Sequence, residues 1–186
     1  MKEKSEEEKI LLSLKNGNLA AFEKILLLYE DRIFNYIYHL VGQKQDAEDL
    51  TQETFIKLYT HIKTIDINKN FLVWLYKIAT NTVYDFWRRK KNKKEILLDE
   101  LQNLETIETE TTYLNIEKQE VVRDVQNALA KIKPIYRTVL LLFYKNNFTY
   151  KEIAETLNLP LNTVKIYIHR AKKELREKLK NGKTYQ

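Results

Sequence analysis

The chain has no cysteine and little glycine or proline: its 186 residues include three Gly and two Pro. Without cysteine, a disulfide framework, a cysteine-ligated zinc finger and a cysteine nucleophile are excluded. Because tight turns draw heavily on glycine and proline, a sheet-rich fold with many turns is not expected. No apolar run approaches the roughly 20 residues that a membrane span needs, and the charged N-terminus has no apolar core of a signal peptide. We expect a soluble, mostly helical cytoplasmic protein that does not insert into a membrane.

The charges are segregated along the sequence, although the net charge is only +6. Residues 87–94 carry six basic and no acidic side chains, residues 95–120 carry eight acidic and one basic, and residues 121–186 carry 14 basic and 5 acidic. Clusters of Lys and Arg attract polyanions and release counterions when they meet phosphates. One basic run is as often a solvated face, but two runs favour a nucleic-acid partner.

Apolar residues recur at three- and four-residue spacing through most of the first half. The pattern predicts two helices within residues 9–40, separated at Gly17, a third from Asp46 to Ile62, and a fourth over residues 71–89. Asp46 is a candidate N-cap, because a carboxylate there suits both the free amides and the helix dipole. Together these four helices could bury one compact core.

The periodicity fails over residues 90–120 and resumes from Glu117. An acidic stretch with so few apolar residues buries too little surface to order itself, which predicts a linker. We therefore predict an all-α fold of two small helical domains, residues 1–90 and 121–186, joined by a flexible acidic linker over 91–120. Attraction between the acidic linker and the basic second domain would allow the domains to close on each other in the free state, which is a hypothesis.

The second half contains a helix-turn-helix pattern. Thr149 and Glu152 have the spacing of a capping box, and Asn158 suits the left-handed conformation of a tight turn. A second helix is predicted to begin near Asn162 or Thr163. Its outward side chains mix hydrogen-bond donors, cations and an apolar contact, which suits a DNA major groove. An ordinary helical hairpin with a charged outer face is the plain alternative.

The third helix carries an acidic cluster. Glu48, Asp49, Gln52 and Glu53 lie on its adjacent outer faces. Metal sites in helical bundles need facing carboxylates from several helices, so a protein-binding face is favoured over catalysis, with a merely solvated face as the alternative. No P-loop, glycine-rich nucleotide motif, zinc-ligand set or catalytic triad is found. We expect no enzyme activity, metal or cofactor.

The fourth helix combines an amide, cations and aromatic residues. Asn81 stands at four-residue steps between Lys77 and Asp85, ahead of two arginines. This combination fits contact with a single strand or a splayed base. Trp74 is interpreted as a core residue.

These segments resemble one known family. The sequences DAEDLTQETFIKLY and FLVWLYKIATNTVYDFWRRKK resemble region 2, and FTYKEIAETLNLPLNTVKIYIHRAKKEL resembles region 4, of bacterial sigma factors of the extracytoplasmic-function (ECF) group of the sigma-70 family. The resemblance covers residues 10–90 and 120–180. It implies a subunit that carries core RNA polymerase to promoters by recognising minus-10 and minus-35 elements. It also implies contacts with the β′ coiled coil and the β flap of polymerase, and a probable anti-sigma partner.

The resemblance implies three sets of site residues. The set expected to bind core polymerase is Asp46, Glu48, Asp49, Leu50, Gln52, Glu53 and Phe55. The set expected to contact minus-10 DNA is Ile65, Asp66, Ile67, Asn68, Lys69, Asn70, Lys77, Asn81, Asp85, Arg88 and Arg89. The set expected to contact minus-35 DNA is Asn162, Thr163, Lys165, Ile166, Tyr167, His169, Arg170 and Lys173.

Two other classes of protein remain open at this point. A free-standing helix-turn-helix regulator would bind palindromic DNA as a dimer, but no heptad seam is long enough to supply the dimer face. A helical interaction module with incidental basic charge would leave Asn81 and the capping box without a joint role. Lys165, Ile166 and Tyr167 depart from residues common in the family, and Lys lacks the bidentate geometry of Arg on guanine. The minus-35 sequence preference therefore does not carry over.

Overall fold

The computed structural model describes residues 6–67, 69–96 and 124–182. Every regular element within these ranges is helical, which confirms the all-α prediction. The helices form two units, which we call the N-terminal bundle (α1–α4) and the C-terminal bundle (α5–α8). Within the described part of the chain, no helix is both long and apolar enough to span a bilayer.

The N-terminal bundle has four helices around one core. They are α1 (Glu6–Lys15), α2 (Leu19–Val41), α3 (Lys44–His61) with a 3₁₀ turn (Ile62–Thr64), and α4 (Phe71–Ile96). Each helix contributes fully buried side chains, such as Leu14, Ile37, Leu58 and Leu75. Burying one such side chain contributes roughly 1.5–3 kcal/mol, so this shared core holds the four helices together.

Local signals set the helix junctions. Gly17 has φ +86°, and the Asn18 side chain caps α2 by accepting a hydrogen bond from the Ala20 amide at 2.9 Å. Gly42, with φ 84°, ends α2 in the left-handed region, where glycine pays no Cβ penalty. The N-cap prediction for Asp46 is wrong: α3 begins at Lys44, and Asp46 lies in its first turn. A carboxylate there still suits the helix dipole.

Helix α4 continues beyond the expected end at residue 89. It is described as far as Ile96, so residues 91–96 of the expected linker are helical. Lysine and glutamate favour helix even where no apolar stripe guides it, which explains the extension. The rest of the expected linker lies outside the described residues, and the boundaries of the two domains remain a prediction.

The C-terminal bundle contains the helix-turn-helix. Its helices are α5 (described over residues 124–130), α6 (Pro134–Leu140) with a π turn (Leu141–Lys145), α7 (Tyr150–Leu157) and α8 (Leu161–Gly182). Pro134 stands in the first turn of α6, where its missing amide hydrogen has no intrahelical partner to lose. The core includes Val139, Leu142, Ile153 and Val164, all fully buried.

The two bundles pack against each other. Helix α4 contacts α7, and α2 contacts α6, so the apolar core continues from one bundle into the other. Tyr76 of α4 is fully buried in this contact. Its ring lies 5.0 Å, centroid to centroid, from the ring of Phe148, which precedes α7. The protein therefore has a closed arrangement of its two halves.

Candidate nucleic-acid interface and docking surface

A pocket opens between α3 and α4 on the N-terminal bundle. Its volume is about 340 Å³. The side chains that line it are Lys57, His61, Thr64, Trp74, Lys77, Ile78 and Asn81. An indole, an amide and two ammonium groups around one cavity supply stacking, hydrogen bonding and neutralisation of phosphate. The pocket therefore has the chemistry to hold an unstacked base.

The C-terminal end of α3 shapes one wall of this pocket. The Thr64 hydroxyl donates to the His61 carbonyl at 2.7 Å, and His61 Nδ1 lies 2.8 Å from the Lys57 carbonyl. These short-range bonds hold the 3₁₀ turn against the helix. Sequence reasoning missed His61 and Thr64, because neither belongs to a recognisable motif.

Trp74 packs against the core, as the sequence analysis expects, but it is only partly buried and also lines the pocket. Sequence reasoning did not assign it to the pocket. Trp74 and Asn81 are seven residues apart, and two helical turns bring them to one face. The seven-residue spacing is the sequence signal that could have placed Trp74 beside Asn81.

The loop before α4 presents some of the expected minus-10 residues. Asp66, Lys69 and Asn70 are exposed, and Ile67 is half-buried. Ile65 is only 4% exposed and belongs to the core, so the expectation that its side chain contacts DNA is wrong. Burying the apolar side chain of a residue at the end of a 3₁₀ turn in the bundle is more favourable than leaving it exposed to solvent. Asn68 lies outside the described residues.

A chain of ion pairs links α3 with α4 beside the pocket. Lys57 Nζ lies 2.8 Å from Glu53 Oε1 and 3.9 Å from Asp85 Oδ2. Asp85 pairs in turn with Arg88 at 2.8 Å, and Glu53 with Arg89 at 3.3 Å. Partial burial acts to raise the pKa of Glu53, but Lys57 and Arg89 outweigh it and the pKa is lowered. These carboxylates hold the two arginines in an ion-pair network that reaches the pocket through Lys57.

The acidic face of α3 differs in part from the expected polymerase-binding set. Glu48, Asp49 and Gln52 are exposed, as expected. Leu50 and Phe55 are each 3% exposed, so the expectation that they form a contact surface is wrong. The helical period places them on the inner stripe with Leu58, where the core needs apolar side chains.

Two exposed apolar residues continue this face toward the end of α3. Ile56 is 63% and Tyr59 40% exposed, and the Tyr59 ring packs edge-on against Phe22 of α2 at 5.2 Å. We call Glu48, Asp49, Gln52, Ile56 and Tyr59 the α3 docking face. Asp46 borders it and pairs with Lys90 at 3.6 Å. A charged margin beside apolar side chains is typical of protein-binding surfaces.

The helix-turn-helix has the local geometry that its sequence predicts. The Glu152 amide donates to Thr149 Oγ1 at 3.2 Å, and the Thr149 amide donates to Glu152 Oε2 at 2.9 Å, forming the capping box. The hydrogen bond from the Thr149 amide lowers the pKa of Glu152. Asn158 adopts the left-handed conformation with φ 52°. The turn therefore places α8 across α7.

Most of the expected minus-35 residues lie on the outer side of α8. The exposed members are Asn162, Lys165, Ile166, His169, Arg170 and Lys173, which we call the α8 outer face. Thr163 and Tyr167 are half-buried. The Tyr167 ring contacts Tyr136, with 5.7 Å between centroids.

Thr149→Ala should lower the free energy of unfolding by about 1 kcal/mol, because it removes one half of the capping box. Urea unfolding of the whole chain measures the change. Thr149→Ser keeps the hydroxyl and should remain within a few tenths of a kcal/mol of the parent. Equal losses in the two variants would contradict a capping role.

Both halves of the chain match models of known protein families. The model for sigma-70 region 2 matches residues 26–93, and the model for sigma-70 region 4 matches residues 123–175. The ECF RNA polymerase sigma factor SigW of Bacillus subtilis is 36% identical, over 94% of this chain and 97% of its own length. RNA polymerase sigma factor YlaC of the same organism is 30% identical, over 86% and 92%.

Solved structures share the fold at lower identity. CnrH, solved in complex with the cytosolic domain of CnrY, is 20% identical with a TM-score of 0.70, over 94% of this chain and 97% of that one. The sigma factor RpoE of Bartonella quintana, solved with the anti-sigma factor NepR, is 22% identical with a TM-score of 0.68, over 86% and 96%. Both regions and the full-length relatives agree: the chain belongs to the ECF group of sigma-70 family RNA polymerase sigma factors, which direct promoter-specific transcription initiation.

Proposed function

We propose that this sigma factor binds core RNA polymerase through the α3 docking face and reads promoters with two separate DNA surfaces. The observation that carries the proposal is the presence, on one chain, of a pocket suited to an unstacked base and a basic helix-turn-helix. We assign the chain a binding role in the cytoplasm, with no reaction of its own. Residues 1–90 and 121–186 act as the two functional domains.

The α3 docking face contacts the β′ coiled coil of polymerase. Asp49 and Gln52 offer polar groups next to the apolar Ile56 and Tyr59, so the face supplies both charge complementarity and buried area. The C-terminal bundle contacts the β flap. Glu53 contributes indirectly, because its carboxylate is already held by Lys57 and Arg89.

The pocket between α3 and α4 captures a base of the melted minus-10 element. Unstacking a base costs only a few kcal/mol, which stacking on Trp74 and hydrogen bonding to Asn81 can offset. Lys77 in the wall of the pocket, together with Arg88 and Arg89 farther along α4, neutralises the backbone of the same strand. The exposed loop residues Asp66, Lys69 and Asn70 extend this surface.

The α8 outer face enters the major groove of the minus-35 element. Lys165, Arg170 and Lys173 supply the cations that position a helix on phosphates or contact base edges. Ile166, 47% exposed, is available for an apolar contact with a thymine methyl group.

An anti-sigma factor occupies a groove of the C-terminal bundle, which His39 of α2 borders. This groove has a volume of about 730 Å³, and its apolar lining includes leucines of α5, α6, the π turn and α8. His39, Lys145, Lys172 and Arg176 border it, and none of the described residues that line it is acidic. Charge complementarity indicates that the partner inserts an amphipathic helix with an acidic flank.

Transcript mapping tests the proposal. The purified chain is mixed with sigma-free core polymerase and a promoter library, and the transcript starts are sequenced. Starts clustered below a shared two-part motif are expected. A chain that shifts a specific duplex but neither binds core polymerase nor produces starts would instead be a free-standing helix-turn-helix regulator.

A further inference from the structure

Helix α1 lies outside the part of the chain that matches the model for sigma-70 region 2. That match begins at residue 26, whereas α1 covers Glu6–Lys15. The helix nevertheless belongs to the N-terminal bundle, because its Leu11 and Leu14 side chains are buried in the core. It also contacts the 3₁₀ turn that follows α3. This contact brings α1 to the start of the loop that precedes α4.

The last residue of α1 holds the start of that loop. The Lys15 ammonium donates a hydrogen bond to the Ile65 carbonyl at 2.9 Å, across 50 positions of the sequence. At Ile65 the 3₁₀ turn ends and the backbone becomes extended, with ψ 136°. The Ile65 amide donates to the Ile62 carbonyl at 3.2 Å, and the Ile65 side chain is buried. The amide, the side chain and the carbonyl of Ile65 are therefore all held, and Lys15 holds the carbonyl.

A lysine is well suited to this contact. The carbonyl at the end of a helical turn has no partner within the turn, so it needs a donor from elsewhere or from water. An ammonium group forms a stronger hydrogen bond to a carbonyl than a neutral donor does. Lys15 is half-buried, and the apolar stem of a lysine can pack while its charged end stays polar. The contact therefore favours one course of the backbone after Ile65.

The far end of the loop is held by local bonds. Asn70 Oδ1 accepts a hydrogen bond from the Leu72 amide at 3.0 Å, which is the geometry of an N-cap for α4. The Lys69 amide donates to the Asp66 carbonyl at 3.0 Å and closes a turn inside the loop. Because these bonds make the loop a compact unit, the direction of its exposed side chains depends on how the chain leaves Ile65.

A second set of contacts leads from α1 to the base pocket. The Tyr29 hydroxyl donates to Glu7 of α1. The Tyr29 ring lies 5.4 Å, centroid to centroid, from the ring of Phe71, the first residue of α4. The Phe71 ring lies 6.1 Å from that of Trp74, which lines the pocket. Helix α1 therefore supports the loop at both ends, directly at Ile65 and through Tyr29 at Phe71.

We propose that Lys15 is a positioning residue for minus-10 recognition: it holds the loop over residues 65–70 in the conformation that meets the melted strand. The inference rests on the proposed function, since it assumes that this loop and the pocket contact minus-10 DNA. When a binding surface is correctly formed for only a fraction of the time, its apparent affinity falls in proportion to that fraction. Lys15 raises the affinity by keeping the loop formed, without touching DNA itself.

Lys15→Met tests the proposal, because methionine keeps an unbranched apolar side chain and removes the donor. The probe is a fluorescent single-stranded oligonucleotide that carries the minus-10 sequence found by transcript mapping. Holoenzyme assembled with Lys15→Met should bind it about fivefold to tenfold more weakly than the parent, since hydrogen bonds to charged groups are among the stronger ones. Lys15→Arg keeps a charged donor and should restore most of the affinity. Unchanged affinity in Lys15→Met, or equal losses in the two variants, would overturn the proposal.

A salt titration distinguishes positioning from a direct contact with phosphate. If Lys15 neutralised a phosphate, its removal would reduce the slope of log K against log salt concentration by about 0.7 for a single strand. A positioning role leaves the slope unchanged. Lys9→Met is the matched control, since it removes the same charge from an exposed position of α1 and should bind the strand like the parent. A reduced slope, or an equal loss in the control, would contradict positioning by Lys15.

Binding to the other two surfaces separates positioning from a general defect. Lys15→Met should keep the parent's affinity for core polymerase and for the minus-35 duplex, because the loop belongs to neither the α3 docking face nor the α8 outer face. Losses in all three assays would show a general defect and overturn the proposal. A parent holoenzyme that does not bind the minus-10 strand would instead contradict the proposed function. Equal binding of that strand by the parent and Lys15→Met overturns the positioning role alone.

Discussion

Asp49→Lys is expected to weaken binding of core RNA polymerase about tenfold to a hundredfold, equivalent to about 1.4–2.8 kcal/mol. Asp49 is exposed on the α3 docking face, where reversal replaces an attraction by a repulsion and leaves the core untouched. Fluorescence anisotropy of the labelled chain against core polymerase measures the change. Affinity for a minus-35 duplex should stay within about twofold of the parent. Salt screens the interaction between exposed charges that lie more than about 10 Å apart, and residue 49 is outside the α8 outer face.

Glu30→Lys is the control for this reversal. Glu30 is an exposed acid of α2 outside the α3 docking face, so the same change in net charge should leave polymerase affinity nearly unaltered. Equal losses in the two variants would show that net charge, not the docking face, governs association.

Glu53→Lys would be a less specific test of the docking face than the sequence suggests. Its carboxylate holds Lys57 and Arg89, so reversal should also disturb the minus-10 surface.

Arg170→Ala is expected to reduce affinity for the minus-35 duplex by roughly tenfold to a hundredfold, because loss of one base or phosphate contact costs about 1–3 kcal/mol. Arg170 is exposed on the α8 outer face and does not support the core. Duplex titrations at several salt concentrations measure the effect. If Arg170 contacts a phosphate, the loss of affinity should be the same for all duplex sequences, and the slope of log K against log salt concentration should fall by about one. A base contact predicts relaxed preference at one position.

Lys178→Ala is the control for the duplex measurement. Lys178 is exposed on the same helix, two turns beyond Arg170 and outside the α8 outer face. It should change duplex affinity much less than Arg170→Ala does. Polymerase binding should remain intact in both variants. An Arg170→Ala protein that is folded yet loses polymerase and duplex together would contradict the separation of the two surfaces.

Local features were predictable because their causes lie within a few residues of each other. The capping box of Thr149 and Glu152 and the left-handed turn at Asn158 follow from side chains that bond neighbouring backbone groups. The N-cap prediction for Asp46 was wrong by a few residues, because a carboxylate is favourable both at the N-cap and in the first turn of a helix. Motif recognition likewise identified the acidic helix and the recognition helix.

Assigning individual side chains required the packed structure. The family resemblance includes Leu50 and Phe55 in the polymerase-binding set, although the helical period puts them on the apolar stripe, and both face the core. Ile65 lies in the predicted loop, but the bundle buries its side chain. Conversely, Ile56 and Tyr59 are apolar and nonetheless exposed, even though the Tyr59 ring touches Phe22 at the edge of α2. Hydrophobicity alone does not say which side of a helix meets a neighbour.

The helical class, the two-part organisation, the helix-turn-helix and the family could be predicted from the sequence, because helical period, caps and charge segregation are properties of short segments. The pocket around Trp74 and the closed contact between the bundles became evident only from the packing of the helices. Tyr76 meets Asn146, 70 positions away, and Arg137 meets Leu40, 97 positions away. The helical period of the sequence does not predict such pairs, because they form only when two complete bundles pack together. Their polar groups are then buried and need hydrogen-bond partners.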